Sequence, residues 1–263
     1  MTRDKWLFGQ YLKSLSFPVP RTAAIVLDGE VALLDTGQTI YLTDLADNLV
    51  DGDYFCKPID GILGKQVFPL SVCDNTIFRG DQRLDARDAE HAFPSGRWLI
   101  QQRIDQHSGL ALLYPQAVNT LRVVTLYAAP EPKLLCVAMR VGAGDRKTDN
   151  WASGGIIANV NTETGRICGD GFFKPGFGLR VSRHPDTGVM LDGFEIPYFH
   201  DAVELAKVAH TYFYGLDSIG WDIAFTNDGP MIVEGNDDWD GVIAMTLDPD
   251  FRAQFEQFFN GRN

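Results

Sequence analysis

The sequence is poor in basic residues, and it contains no long apolar run. Its 263 residues include 23 lysines and arginines against 35 aspartates and glutamates, a formal net charge of −12. Nucleic acids and anionic membranes attract basic surfaces, so this balance argues against both as partners. No apolar stretch approaches the roughly 20 residues of a membrane-spanning helix, and residues 1–15 contain no apolar signal-peptide core. We therefore predict a cytoplasmic protein without membrane insertion.

Motifs that depend on cysteine or histidine are also missing. Among the four cysteines, Cys56, Cys73, Cys136 and Cys168, no two form a CxxC pair, so zinc ribbons and redox motifs are unsupported. The five histidines lack the spacing of zinc ligands, which argues against zinc hydrolysis. We expect the cysteines to be reduced, buried and inert.

Local patterns predict an α+β chain with several antiparallel hairpins. Apolar residues at helical spacing predict helices at residues 4–15, 43–48 and 201–212. Apolar and β-branched runs predict strands at residues 23–34 (two strands around Asp28-Gly29), 54–58, 67–72, 98–104, 121–127, 134–141 and 155–160. The strongest hairpin signal is Asn227-Asp228-Gly229, which joins predicted strands at 219–226 and 230–235.

This terminal hairpin carries three oxygen-bearing side chains within apolar strands. Glu234 and Asn236 are two residues apart, so they share one face of their strand, and the tight turn brings Asp222 back beside them. Hard cations such as Mg²⁺ take oxygen ligands, usually a few from protein and the rest from phosphate and water. The trio therefore predicts a metal site, and the alternative is a set of solvated residues at strand ends.

A lysine and a short glycine loop follow an earlier strand. Lys57 ends the strand, and Gly61, Gly64 and Lys65 follow in the loop. Glycines let backbone N–H groups turn toward an anion, and a lysine supplies a point charge to the same phosphates. The spacing is too short for a P-loop and no Ser or Thr follows Lys65, so a plain turn is the alternative.

Two arginines lie in otherwise apolar strands. Arg122 follows Asn119-Thr120-Leu121, and Arg140 ends the next strand, before Asp149-Asn150 and Gly154-Gly155. A charge in such a strand needs a partner, which is either a carboxylate or a bound phosphate. The residues alone leave both alternatives open.

Taken in order, these motifs resemble the ATP-grasp superfamily, and the resemblance is closest to its sugar-transfer associated family. It extends over about residues 6–241 and rests on the ordered set Lys57-Pro58 with the glycine loop, Gln101-Gln102-Arg103, Asn119-Thr120-Leu121-Arg122, Arg140, Asp149-Asn150-Trp151, His184-Pro185-Asp186-Thr187-Gly188, Gly220-Trp221-Asp222 and Glu234-Gly235-Asn236. The resemblance implies two α+β lobes whose antiparallel sheets grip ATP between them. We place the smaller lobe at residues 1–100 and the larger at 101–263, with the conventional N-terminal domain absent or reduced.

The resemblance also implies roles for individual residues. Those expected to bind ATP are Lys57, Gly61, Gly64, Lys65, Gln101, Gln102, Ile104 and Asn150. Lys57 and Lys65 would hold phosphates, residues 60–66 would form a lid, and the backbone near 101–104 would read adenine. Asp222, Glu234 and Asn236 would bind Mg²⁺, with Mn²⁺ as a substitute. Arg122 or Arg140 would join Lys57 in catalysis by stabilising the transferring phosphoryl group. His184 and Asp186 belong to the pattern without a role that we can derive.

The activity implied is ATP-dependent ligation of a carboxylate to an amine or other nucleophile, through an acyl-phosphate and with release of ADP. The carboxylate is a small molecule or is linked to a peptide or sugar. Two alternatives stay open: a small-molecule kinase on the same scaffold, and a non-catalytic nucleotide-binding or scaffolding module. A homodimer or a partner subunit could supply what the reduced N-terminal domain does not.

Overall fold

The protein is described by a computed structural model that covers residues 2–60, 66–85, 88, 91–128, 130–248 and 250–260, without the side chains of residues 254 and 257–260. The chain divides into two units, Met1–Asp105 and Gln106–Asn263, so the boundary follows residue 105, whereas the sequence predicts it at residue 100. The assignment of functional roles to two lobes stays a prediction. Each unit is built on its own antiparallel sheet, and the predicted α+β class is confirmed.

The sheet of the first unit has eight strands within the described residues, in the order β3-β2-β1-β8-β4-β5-β6-β7. These strands are β1 (Thr22–Leu27), β2 (Glu30–Leu33), β3 (Thr39–Tyr41), β4 (Gly52–Pro58), β5 (Phe68–Cys73), β6 (Thr76–Arg79), β7 (Gln82–Leu84) and β8 (Arg97–Gln102). They are accompanied by α1 (Lys5–Ser14), a 3-10 turn at Leu42–Asp44 and α2 (Leu45–Asn48). One face of the central strands β4 and β8 buries Tyr54, Cys56, Trp98 and Ile100 in the apolar core.

Local signals explain the first elements of this unit. Asp4 caps α1 by accepting a hydrogen bond from the backbone N–H of Leu7, as N-terminal capping residues do. The turn between β1 and β2 uses Asp28 and Gly29, both with positive φ, which is the conformation that the hairpin turn requires. The helix and both strands were predicted at these places and are confirmed.

The sheet of the second unit has seven described strands in the order β13-β12-β11-β10-β9-β14-β15. These strands are β9 (Thr120–Ala128), β10 (Glu131–Val141), β11 (Ile156–Asn161), β12 (Arg166–Phe173), β13 (Arg180–Val181), β14 (Ser218–Thr226) and β15 (Gly229–Asn236). The described helices are α3 (Ser108–Ala111), α4 (Phe199–His210), α5 (Gly241–Leu247) and α6 (Phe251–Asn260). The predicted hairpin at Asn227-Asp228-Gly229 is confirmed as the turn between β14 and β15.

The two faces of this second sheet differ in chemistry. The face that we call the back face carries Thr125 and Trp221 and packs against α4. The opposite face, which we call the front face, carries Arg122 and Asp222, because successive residues of a strand point to opposite sides. Helix α5 contacts β10 and β11. The charged candidates of the sequence therefore lie on the front face.

Two sets of expectations need correction. The expectation of buried cysteines holds for Cys56 alone, since Cys136 is half-buried and Cys73 and Cys168 are exposed. Several elements were not predicted: β3, β6, β7, β12, β13, α3, α5 and α6. Most of them are too short to carry a local pattern, whereas β12 with 8 residues and α6 with 10 residues were missed despite their length. In the part of the chain that the structure describes, no helix combines the length and apolar character that crossing a bilayer requires.

A buried histidine links α4 to the back face and predicts a pH effect. Nε2 of His210 lies 3.0 Å from the carbonyl oxygen of Leu216, which can only accept, so Nε2 carries the proton and Nδ1 accepts from the Thr125 hydroxyl at 2.7 Å. Burial lowers the pKa of His210 below its ordinary value of 6.5. Because the fold disfavours the charged ring, its contribution to stability is complete above about pH 6.5 and is lost as the pH falls toward the folded pKa.

We therefore expect the free energy of unfolding of the wild type to fall by up to about 1.4 kcal/mol per pH unit within that window because of His210 alone. Urea unfolding between pH 7.5 and 5 would measure the slope. His210→Gln should flatten it, whereas His200→Gln, a change at an exposed position on the same helix, should leave it unchanged. Equal slopes in wild type and His210→Gln would contradict the assignment.

Candidate functional site

Four neighbouring strands place charged side chains in one row on the front face. In the register of the sheet, Asp222 of β14 stands opposite Arg122 of β9 on one side and opposite Glu234 of β15 on the other. Arg140 of β10 pairs with Thr120, two residues before Arg122. Asn236 pairs with Gly220 and shares its face with Glu234. The sheet thus brings together the arginines and all three predicted metal ligands of the sequence.

Asp222 sits between the two arginines. Nε of Arg122 donates to Oδ1 of Asp222 at 2.5 Å, and Nη1 of Arg140 donates to Oδ2 at 2.8 Å. Nη2 of Arg140 donates to Oδ1 of Asp149 at 3.0 Å. Asp149 also accepts from the backbone N–H of Thr120 at 3.0 Å and from the Thr120 hydroxyl. A continuous network, Asp149–Arg140–Asp222–Arg122, therefore runs across three strands and the loop after β10.

The two arginines use their donors differently. Both terminal nitrogens of Arg140 donate to carboxylates. Arg140 is only 8% exposed, and its Nε has no hydrogen-bond partner among the described residues. Arg122 uses Nε for Asp222, and its terminal nitrogens have no hydrogen bond to any residue that the structure describes. For Arg140 the partner that the sequence left open is thus a pair of carboxylates. Arg122 keeps donors for another anion.

The pKa values of the two aspartates move in opposite directions. Burial opposes ionisation of Asp222, but the charges of Arg122 and Arg140 and their hydrogen bonds outweigh it, so the pKa of Asp222 is lowered. Burial raises the pKa of Asp149, and the charge of Arg140 only partly compensates. The difference follows from the number of cationic partners, two for Asp222 and one for Asp149. The ionised form of Asp222 is consequently stabilised more strongly than that of Asp149.

The donor set at Asp222, Glu234 and Asn236 fits a hard divalent cation. It offers two carboxylates and one amide oxygen, the ligand types that Mg²⁺ prefers. Each oxygen of Asp222 accepts one hydrogen bond from an arginine and has a second lone pair, so pairing with arginine leaves coordination capacity. Metal ligation by these residues stays a prediction.

The loop after Asp149 is fixed by local contacts. Oδ1 of Asn150 accepts from the backbone N–H of Ala152 at 2.9 Å and so caps the short 3-10 turn Trp151–Ser153. A Cβ at Gly155 would lie 2.5 Å from the carbonyl oxygen of Asp149, so only glycine permits this close approach. Asn150 thus has a capping role in shaping the loop that presents Asp149. Its predicted contact with ATP is untested.

The segment around His184 supports the loop after β10. Nε2 of the buried His184 lies 2.7 Å from the carbonyl oxygen of Gly142, and Asp186 accepts from the backbone N–H of Gly144 at 2.7 Å. Thr187 donates from its hydroxyl to the carbonyl oxygen of Leu113 at 3.0 Å. His184 therefore has a structural role, whereas no role for it could be derived from the sequence.

In the first unit, the predicted nucleotide residues lie on strands β4 and β8. Lys57 is 8% exposed and pairs with Leu99, and Gln101 pairs with Phe55, so Lys57 and Gln101 share one face. Gln102 points to the other face, and Ile104 follows the end of β8. The predicted glycine-loop residues, Gly61, Gly64 and Lys65, lie outside the described residues.

Sequence reasoning noted Asp149 without giving it a function. Its partners are Arg140, nine residues earlier, and Thr120, 29 residues earlier, and only the pairing of β9 with β10 brings these two together. The one available signal was the need of Arg140 for a buried counter-charge. Thr120 gave no signal of its own.

Known proteins share this fold. An ADP complex of purK, N5-carboxyaminoimidazole ribonucleotide synthetase, is 11% identical with a TM-score of 0.50, covering 90% of this chain and 45% of that one. D-Alanine-D-alanine ligase from Helicobacter pylori is 12% identical with a TM-score of 0.49, covering 97% and 56%. The chain thus spans about half the length of these proteins, and identities this low concern the fold alone.

Sequence comparison is more specific. No curated protein matches the chain. Residues 1–258, almost the whole sequence, match the family described as sugar-transfer associated ATP-grasp. The match includes both units and every residue of the charged row on the front face. The chain therefore belongs to the sugar-transfer associated ATP-grasp family.

Proposed function

We propose that the chain is an ATP-dependent ligase that activates a carboxylate with ATP and joins it to an amine or another nucleophile. The observation that carries the proposal is the row Arg122–Asp222–Glu234 on adjacent strands, in a chain of the ATP-grasp family. A paired arginine and a carboxylate set suited to a divalent cation are what phosphoryl transfer needs, because that chemistry depends on positioning and charge neutralisation.

The reaction proceeds in two balanced steps. A carboxylate oxygen of the first substrate attacks the γ-phosphorus of ATP, the bond to the β–γ bridging oxygen breaks, and ADP leaves. The nucleophile then attacks the carbonyl carbon of the acyl-phosphate, inorganic phosphate leaves, and the nucleophile loses a proton. The sum is ADP, phosphate and the ligated product. Neither step requires a nucleophilic side chain of the protein.

The residues of the front face have different roles in this proposal. Asp222, Glu234 and Asn236 would hold Mg²⁺, or Mn²⁺ in its place, and such a cation neutralises phosphate charge during transfer. Arg122, with its terminal nitrogens uncommitted among the described residues, would contact the transferring group. Arg140, committed to two aspartates, would position Asp222 and Arg122 without touching substrate. Lys57 stays a predicted phosphate ligand.

The first test is the thermal midpoint with Mg²⁺ and a non-hydrolysable ATP analogue. At about a hundred times its dissociation constant, the analogue should stabilise the wild type by roughly 2.7 kcal/mol, a shift of about 5–10 °C for a chain of this size. Glu234→Gln should lose most of the Mg²⁺-dependent part of the shift. Glu163→Gln, which removes an exposed carboxylate elsewhere in the same unit, should retain it. A shift that is absent from the wild type would contradict the nucleotide site.

A second measurement separates ligation from other outcomes. ADP release should require an acid, and formation of the final product should require a nucleophile as well. Accumulation of a stable phosphorylated small molecule, with no effect of any nucleophile, would indicate a kinase. Nucleotide binding without turnover on any acid would indicate a non-catalytic module.

A further inference from the structure

A cavity of about 280 Å³ lies on the front face of the second unit, beside the charged row. Its floor is formed by β9, β10 and β11, including Val124, Cys136 and Ala138, and its roof by α5 with the first residue of α6. This volume is near the lower end of the range of small-molecule sites and far above that of a single water.

Many of the residues that line the cavity are apolar. Val124 and Ala138 contribute from the sheet, and Ile243, Ala244 and Leu247 contribute from α5. Burial raises the pKa of the Cys136 thiol to about 12, with Arg122 lowering and Asp248 raising it. The thiol therefore stays protonated at neutral pH and serves as another weakly polar wall atom. An apolar ligand body fits against these walls.

Acidic side chains outnumber basic ones among the described residues that line the cavity. Among these described residues, Arg122 is the one cationic side chain, and Asp240 and Asp248 are the acidic ones. Arg122 also donates from Nε to Asp222, so this side chain belongs both to the cavity lining and to the charged row. Its terminal nitrogens have no hydrogen bond to the described residues, and they can donate to both oxygens of one carboxylate in a bidentate pair. Two aspartates in the same lining disfavour a second carboxylate on the ligand.

The roof is anchored close to the charged row. Nε1 of Trp239 donates to the hydroxyl of Ser218 at 3.0 Å, and a Cβ at Gly220 would lie 2.6 Å from the Cβ of Trp239. Gly220 therefore lets Trp239 lie directly on β14, two residues from Asp222. This contact holds the start of α5 over the sheet, so the cavity is part of the fold around the charged row.

We propose that this cavity binds the carboxylate substrate and that this substrate is a small monocarboxylic acid with an apolar body. The carboxylate pairs with the terminal nitrogens of Arg122, and the body lies between the sheet and α5. This assignment rests on the proposed ligase function, because it names the class of one substrate of that reaction. A nucleotide does not fit the cavity, since one cation among two aspartates cannot balance a triphosphate.

Binding of hexanoate, hexanamide and adipate tests the class of ligand. The amide removes the negative charge of hexanoate, and adipate adds a second carboxylate at the far end of the same chain length. Ligand-observed NMR titrations of the wild type, with and without Mg²⁺ and the ATP analogue, should show hexanoate binding at least about tenfold tighter than either control. Equal binding of hexanoate and hexanamide would overturn the role of Arg122, and tighter binding of adipate would overturn the charge argument.

Cavity-filling variants test the location. Cys136→Phe should weaken hexanoate binding at least about tenfold, and Cys168→Phe, the same change at an exposed cysteine, should not. The thermal shift with Mg²⁺ and the ATP analogue should stay as in the wild type in both variants. If circular dichroism shows that the Cys136→Phe variant is unfolded, Ala244→Leu is the second filling variant, because it adds volume from the opposite wall of the cavity.

The outcomes separate this inference from the proposed function. A normal nucleotide shift together with hexanoate binding that is unaffected in folded filling variants would overturn the cavity assignment and leave the ligase proposal intact. Loss of the nucleotide shift in the wild type, with specific hexanoate binding retained, would contradict the ATP site while supporting an acid-binding cavity. Failure of hexanoate to bind under both conditions would overturn the cavity assignment.

Discussion

Replacing Arg140 by methionine is expected to lower the free energy of unfolding by about 3–5 kcal/mol, the usual cost of removing one partner from a buried ion pair. The guanidinium is shared by Asp149 and Asp222, and both carboxyl groups are buried. Without it, Asp149 loses its cation, and Asp222 keeps only Arg122. Methionine preserves much of the side-chain volume, so the decrease in the free energy of unfolding comes from the lost charge and hydrogen bonds. Urea unfolding followed by circular dichroism measures it.

The matched control is an arginine–aspartate ion pair on the surface of the same sheet. Nε of Arg180 lies 2.6 Å from Oδ2 of Asp170, and the Arg180 side chain is 65% exposed. Arg180→Met should therefore cost no more than about 1 kcal/mol, since water solvates both charges when the pair is lost. A double variant Arg140→Met/Asp149→Asn should recover part of the loss, because it removes the carboxylate that lost its cationic partner. Equal costs for Arg140→Met and Arg180→Met would contradict a structural role for the network.

The parts of this network that the sequence predicted are those set by local pattern. Alternation within β14 and β15 and the turn at Asn227-Asp228-Gly229 were sufficient to place Asp222 and Glu234 on paired neighbouring strands. The turn fixes the register next to it, and that register alone would set Asp222 opposite Val233. A shift of register between Asp222 and Ile223 sets Asp222 opposite Glu234 on one face instead, and no sequence pattern indicated this irregularity.

The remaining part depends on contacts between distant segments. Arg140 pairs with Asp149 because the loop after β10 folds back onto β9. The close approach of Gly155 to the backbone of Asp149 and the hydrogen bonds from Thr120 to Asp149 hold this loop in place. Helix α5 is seven residues long, too short to be stable without tertiary packing, and Ile243 supplies that packing against the sheet. The cavity exists only because α5 crosses the front face, so no sequence pattern could have indicated it.

The same substitution should affect different properties at the two arginines, stability at Arg140 and turnover at Arg122. Arg122→Met is expected to lower turnover about 10²–10³-fold, the usual loss when one donor to a developing negative charge is removed. Its terminal nitrogens have no acceptor among the described residues, unlike those of Arg140. ADP release at saturating Mg-ATP, with the best acid from the binding series, measures the effect.

Stability should be affected less by this change than by the loss of Arg140. Asp222 retains Nη1 of Arg140 in Arg122→Met, and Asp149 keeps all of its partners. The thermal shift with Mg²⁺ and the ATP analogue should stay close to that of the wild type, which separates a catalytic loss from a loss of nucleotide binding. Arg122→Lys keeps the charge without the bidentate geometry, so it should recover turnover only in part.

The comparison decides between two views of the charged row. If the row is only a structural ion network, Arg122→Met and Arg140→Met should differ in stability alone, and their residual turnover should follow the folded fraction. If Arg122 contacts the transferring group, its methionine variant loses turnover while remaining folded and able to bind nucleotide. Weaker binding of hexanoate to that variant would then connect the loss to the carboxylate substrate, because the same terminal nitrogens are proposed to bind the acid before its activation.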